Sequence, residues 1–206
     1  RRYNPEGLSR YNIVPGLIGT ILTMTMVMLT SLAMTRERER GTMENLLATP
    51  VTPAEVMIGK IAPYVLIGYV QLGVILGAAW LLFEVPMVGS MSLLMAMIGV
   101  FIVANLSVGF TFSTLATNQL QAMQMTFFFF LPSMLLSGFM FPFRAMPVWA
   151  QRVGELLPLT HFLRIVRGIL LKGNTAAQVL PELWPMLAFL AVAGIVALAR
   201  YRRTLD

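Results

Sequence analysis

The chain has 206 residues, 57% of them hydrophobic and only 12% charged, with a net charge of +6 and no cysteine. A soluble domain carries about a quarter charged residues, so composition excludes an ordinary globular enzyme, and the missing thiols exclude a disulfide framework or a thiolate metal site. The basic residues lie at the edges of long uncharged runs, where they anchor helices at lipid headgroups; no basic–aromatic face remains for nucleic acid.

In chain order, "RRYNPEGLSRYN" (1–12) reads as the end of a polar segment entering a membrane, and Arg1 in place of methionine predicts that something precedes it. Residues 13–35 carry no charge, and neither do 61–83; a crossing helix needs roughly 20 mostly apolar residues, so both read as spans. Pro15 and Pro63 fall near the expected starts, where a missing N–H costs little. Glu84, Pro86 and Gly89 make a turn. The uncharged run 85–143 is long enough to cross twice; its one polar break, "TNQLQ" (117–121), predicts a tight turn between spans 92–117 and 122–141. Residues 183–199 form a shorter fifth candidate, followed by a tail at 200–206. Helices are the natural form for such runs in lipid, which predicts an α-helical bundle.

Residues 142–181 differ, with prolines at 142, 147 and 158, several aromatics and scattered arginines. Within them "LTHFLRIVRGILLK" (159–172) has helical periodicity, with His161, Arg164, Arg167 and Lys172 near one face. Such a helix lies at an interface or packs on the bundle, and is not a full span. Counting charge leaves the orientation open: seven basic residues fall on the side of the 36–60 loop and eight on the other.

The spans hold no ionisable residue at their centres, which disfavours an ion-coupled carrier. Thr20, Thr23, Thr30, Gln71, Asn105 and Thr111 are polar and uncharged; they either line a translocation route or bond between helices. Gly73 and Gly77 form a weak packing motif. His161, the one histidine, has no partners for a triad or a metal site and reads as interfacial.

The stretch "RERERGTMENLLATPVTPAEVMIGK" (36–60) remains. Gly41 can end the first helix and Thr42 cap a new one, with Glu44 in its first turn. Met43, Leu46 and Leu47 share a face, Pro50 stops the run, and "TPAE" (52–55) is a capping box that launches the next helix. These are two short helices at a membrane surface, suited to docking a partner, or else a solvated connector.

That stretch resembles the cytoplasmic loop of ABC-2 type permeases, the membrane subunits of a class of ABC exporters. "PLTHFLRIVRGILLKG" (158–173) resembles a second signature of the family, and "YNPE" (3–6) looks like the junction where its external domain returns to the membrane. The resemblance covers essentially the whole chain, but only the later part of a usual member, without its first span and most of its external domain. It implies an all-α integral membrane protein: five transmembrane helices, a cytoplasmic coupling helix in the 36–60 loop, and external re-entrant or interfacial helices over 142–181, with 1–12 the end of the external segment. It also implies that Glu37, Arg38, Glu39, Arg40, Gly41, Thr42, Glu44 and Lys60 pair with a nucleotide-binding subunit while Leu46 and Leu47 fill its groove. The setting would be a bacterial inner membrane, and the working form a dimer of permeases, identical or not. The chain is not expected to be an enzyme or to hold a cofactor. No phosphate-binding loop is present, since Ala54 stands where Gly59-Lys60 would need a glycine, so ATP and magnesium would belong to the partner. Amphipathic, drug-like or lipid-like cargo moving outward fits the apolar spans; a scaffold that docks a regulator without transport is the alternative.

Overall fold

The computed structural model describes residues 10–40, 53–83 and 88–203. Gly41, Thr42, Glu44, Leu46 and Leu47, with the coupling helix expected around them, Pro50, Thr52, Glu84 and Pro86, lie outside those residues, as do 1–9 and 204–206.

Seven α-helices follow one another among the described residues: α1 (Arg10–Glu39), α2 (Pro53–Phe83), α3 (Met91–Leu115), α4 (Gln119–Leu136), α5 (Val148–Gly154), α6 (Pro158–Lys172) and α7 (Ala176–Arg203). A single 3-10 turn, Phe143–Ala145, precedes α5. Four stretches are long and apolar enough to cross a membrane: Ile13–Glu39, Glu55–Leu82, Met91–Leu115 and Ala176–Arg200. The expected fourth span, at 122–141, is an 18-residue helix that opens with Gln119, Gln121 and Gln124 and is not among these four.

The first two helices reach well past their uncharged cores. Arg36 and Arg38 fall in the last turn of α1, where they complement the negative helix end, and α2 opens with Pro53 and carries Glu55 in its first turn. Pro15 and Pro63 are therefore interior to their helices and not in the opening turns expected of them. The tight turn at 117–121 is present. Asn118 caps α4 by accepting from the Gln121 N–H at 2.9 Å, while the Gln121 side chain accepts from the Thr117 N–H at 2.7 Å.

Helix α3 is the centre, packed against α1, α2, α4, α6 and α7. Its apolar stretch is 67% buried, against 17% for α2 and 11% for α7, so those two present most of their surface outward. Helices α1 and α3 run the same way, since Val27 meets Gly109 and Arg38 reaches Thr114 further along both. Gly109 permits that crossing: a Cβ there would lie 2.5 Å from the Val27 carbonyl oxygen. Gly73 and Gly77, by contrast, face open space, so among the described residues their motif packs against no other helix.

Helix α6 is inserted into the bundle. It starts at Pro158 and ends at Gly173, whose left-handed φ of 67° lets the N–H groups of Gly173 and Asn174 return to Ile169 and Gly168. Eleven of its 15 residues are buried, and Phe162 stacks on Phe101 of α3 with centroids 3.8 Å apart. Of the two sequence readings, packing on the bundle is the one the geometry matches. The Thr160 hydroxyl donates to the buried Gly154 carbonyl at 2.6 Å and ties α5 to α6. Thr160→Val removes that donor with little change of shape and is expected to destabilise by about 1–3 kcal/mol, read as a lower melting temperature in detergent.

Candidate functional site

The polar chemistry of the bundle gathers at its two ends. At the loop end, Lys60 at the base of α2 pairs with Glu37 of α1. The next two residues of α1 straddle the α3–α4 turn. Arg38 Nη1 donates to the carbonyls of Thr114 and Ala116, both at 3.5 Å, where α3 ends. Glu39 accepts from the Gln119 N–H at 2.8 Å and from its side-chain amide, where α4 begins. A cation thus meets the negative end of one helix and an anion the positive end of the next. Four helix termini are braced by four adjacent or facing charges around the segment 41–52.

Four of the charges expected to meet an external partner, Glu37, Arg38, Glu39 and Lys60, therefore have partners inside the chain. Arg40 is exposed at the edge of the loop, its N–H bonded to Arg36 O at 3.1 Å. The signal for this arrangement was present in the sequence. Alternating charges at 36–40 and the lone polar break at 117–121 both belong at a membrane edge, and at the same one if helices cross once each.

The polar residues of the spans fall into two groups. Thr20, Thr23 and Thr30 are buried in α1, and each hydroxyl donates one turn back, to Gly16 at 2.9 Å, Gly19 at 2.8 Å and Met26 at 3.0 Å. Asn105 is fully buried and donates to Phe101 O at 2.9 Å, leaving its own carbonyl oxygen without a bond. Thr111 bonds to Ser107 at 2.9 Å and touches Ala193 of α7. Gln71 borders an open groove. It accepts from the Thr25 hydroxyl at 2.8 Å in an outward groove of about 510 Å³ between α1 and α2, lined also by Met28, Leu29, Leu32, Ile67 and Val70. Thr25 was not singled out from the sequence, and nothing in its spacing sets it apart from the other threonines.

At the opposite end lie the turn 88–90 and the segment 137–175, with Gly89 against Ile169 and Gly173 against Val88. Here His161 is 5% exposed, enclosed by its neighbours at this end of the bundle. Its Nδ1 lies 2.6 Å from Glu182 Oε2 and its Nε2 lies 2.8 Å from the Glu155 carbonyl oxygen. Arg164 Nη1 reaches both oxygens of Glu182 at 3.4 and 3.3 Å, and Nη2 reaches Glu155 Oε1 at 3.1 Å. Arg167 is half-buried and, among the described residues, donates to Gly138 O at 3.4 and 3.5 Å; burial lowers its pKa from the ordinary arginine value. Among the described residues no group of three or more His, Cys, Asp or Glu could hold a metal ion.

Helices of this length and apolarity, with charge confined to the bundle ends, define a multi-pass membrane protein. The chain belongs to the ABC-2 type transporter family, which it matches over residues 3–171. It is 34% identical over 201 residues to the probable multidrug ABC transporter permease YbhR of Escherichia coli, covering 98% of this chain and 55% of that protein. Against the probable multidrug ABC transporter permease YbhS of the same organism, identity is 35% over 173 residues, 84% of this chain and 46% of that one. The linearmycin resistance permease protein LnrN of Bacillus subtilis is 24% identical over 164 residues, 78% and 42% of the two chains. The chain spans about half the length of the first curated relatives it matches.

Proposed function

We propose that this chain is a membrane-crossing part of a permease subunit of an ATP-driven exporter, driven by a separate nucleotide-binding subunit seated on the loop around residues 41–52. The observation that carries this reading is the brace at the loop end. Force applied to the segment between α1 and α2 meets Lys60–Glu37 and the Arg38–Glu39 fork, and so reaches the ends of α1, α2, α3 and α4 together. The family and the multidrug names of its relatives support the transport function and the permease role.

In this reading ATP and magnesium are held by the partner, and Gly41, Thr42, Glu44, Leu46 and Leu47 supply the docking contacts. The loop faces the cytoplasm of a bacterium, across its inner membrane, and 142–181 lies outside. A second permease, identical or not, completes the pathway for an amphipathic drug-like or lipid-like cargo.

Helix α4 serves as a fifth crossing. It starts beside Glu39, and the chain leaving it brings Phe139 onto Gly16. From Gly16 to Glu39 is 23 residues, roughly 35 Å of helix at about 1.5 Å per residue, which exceeds a hydrocarbon core of about 30 Å.

The test is ATP-dependent export of an amphipathic dye from cells carrying the full permease with its ATPase. Glu44→Lys is expected to lower cargo-stimulated ATP turnover by roughly 5–150-fold, the range of typical coupling energies. Full efflux with that variant, or efflux without nucleotide, overturns the reading.

A further inference from the structure

His161 is the single histidine of the chain, and its surroundings ask for one charge state. The Glu155 carbonyl can only accept, so Nε2 must carry a proton. The Glu182 carboxylate, held on both oxygens by Arg164, has no proton to give, so Nδ1 must carry one too. A neutral ring would leave a nitrogen lone pair facing an oxygen lone pair at 2.6 or 2.8 Å, in a site with little water to relieve it.

We propose that His161 is a pH-dependent positioning residue: as an imidazolium it latches the inserted α5–α6 segment to the start of α7, and on losing its proton it releases that contact. The bonds run between three elements. Glu182 belongs to α7, the Glu155 carbonyl closes α5, and His161 and Arg164 belong to α6. The ring of Phe143, 4.8 Å from the guanidinium carbon of Arg164, covers the ion pairs from the side of the 3-10 turn.

Among the described residues no other charged group bonds to the ring. Helices α1, α3 and α4 carry no charged residue over 13–35, 91–115 and 119–136. On α6 itself Arg167 turns to Gly138 and Lys172 lies three turns on, while Arg144 and Arg152 are exposed. Burial opposes a charged ring, but the bonds to Glu182 and Glu155 and the Glu182 charge outweigh both burial and the Arg164 charge, so the pKa of His161 stands above 6.5.

The sign follows from that direction. A histidine whose pKa is raised in the closed form stabilises it fully below the pKa of the open form, near 6.5. As pH rises from there toward the raised value, the opening constant grows by up to about tenfold per pH unit, then levels off. The latch is closed in acid and open in base. It needs no ATPase, so it stands or falls apart from the coupling reading.

Two measurements test it on the protein in lipid nanodiscs. The only imidazole signal can be titrated directly by NMR, with an expected midpoint above 6.5 that falls in Glu182→Gln. Because the chain has no cysteine, spin labels at Val153→Cys on α5 and Leu180→Cys on α7 report the gap alone. Their separation is expected to lengthen or broaden between pH 6 and pH 9 in the parent protein and to ignore pH in His161→Gln. A midpoint at or below 6.5, a label distance indifferent to pH in the parent, or the same pH response in His161→Gln each overturns the proposal. Should His161→Gln fail to fold, the Glu182→Gln midpoint decides.

Discussion

Gly109→Val is expected to cost more than about 3 kcal/mol and to leave little correctly folded protein in the membrane. The side chain it introduces would begin 2.5 Å from the Val27 carbonyl oxygen, with the Thr30 Cβ at 3.0 Å behind it. A flexible side chain could swing away from such an intrusion, but the Val27 carbonyl is backbone in the middle of α1. Separation of α1 from α3 would follow, and those helices hold most of the fully buried large side chains, including Ile18, Leu22, Met26, Phe101, Ile102 and Phe110. Gly109→Ala should show a smaller loss of the same kind. Gly73→Ala is the control: its Cβ meets nothing within 4 Å, so the better helix propensity of alanine should leave stability equal or raised by about 0.5–1 kcal/mol. Melting temperature and monodispersity in detergent separate the three. Equal tolerance of valine at 109 and alanine at 73 would mean that the two helices do not cross where described.

The second large effect concerns the fork of Arg38 and Glu39. Were these residues merely charged, exchanging them in the double variant Arg38→Glu, Glu39→Arg would change little, since net charge and composition stay the same. Their targets are not interchangeable. Arg38 faces carbonyls at the end of α3 and Glu39 faces an amide at the start of α4. After exchange a carboxylate confronts carbonyl oxygens and a guanidinium confronts N–H donors, each against the sign of the helix end. The fork should open, and cargo-stimulated ATP hydrolysis in the assembled transporter should fall by roughly 5–150-fold while the crossing helices remain folded. Wild-type coupling in the exchanged protein would show that α1 does not act on the α3–α4 turn through these contacts.

Much of the architecture could be read from charge spacing alone. Bilayer thickness and the penalty for burying charge set where helices run, so the uncharged intervals 13–35 and 61–83 lie within α1 and α2, 92–117 overlaps α3 as far as Leu115, and the polar break at 117–121 became the turn capped by Asn118. Boundaries were less legible. Helix α1 goes on through Glu39 and α2 starts as early as Pro53 because polar residues near an interface continue a helix that apolar ones began. The site was legible only in outline. Glu37 to Arg40 and Lys60 were recognisable as a cluster, and counting crossings puts the 117–121 turn at the same membrane edge, but which side chain meets which helix end depends on lateral packing that charge spacing does not carry. The same holds for His161. Its counter-charge Glu182 is 21 residues away, outside the interval expected to cross, and local periodicity cannot report such a pairing. Threonine spacing in α1 could suggest a polar route as readily as self-satisfied hydroxyls, because both demand only that the residues share a face.

Those hydroxyls give α1 a mechanical character of its own. Thr20, Thr23, Thr30 and Thr35 each hand a proton to the carbonyl four residues earlier, at 2.8–3.0 Å. A carbonyl that serves two donors holds its amide partner less tightly, and helices with such sharing curve more readily than runs of leucine and alanine. The rod that joins one bundle end to the other therefore has a softer backbone than an all-aliphatic helix, over and above the missing N–H at Pro15.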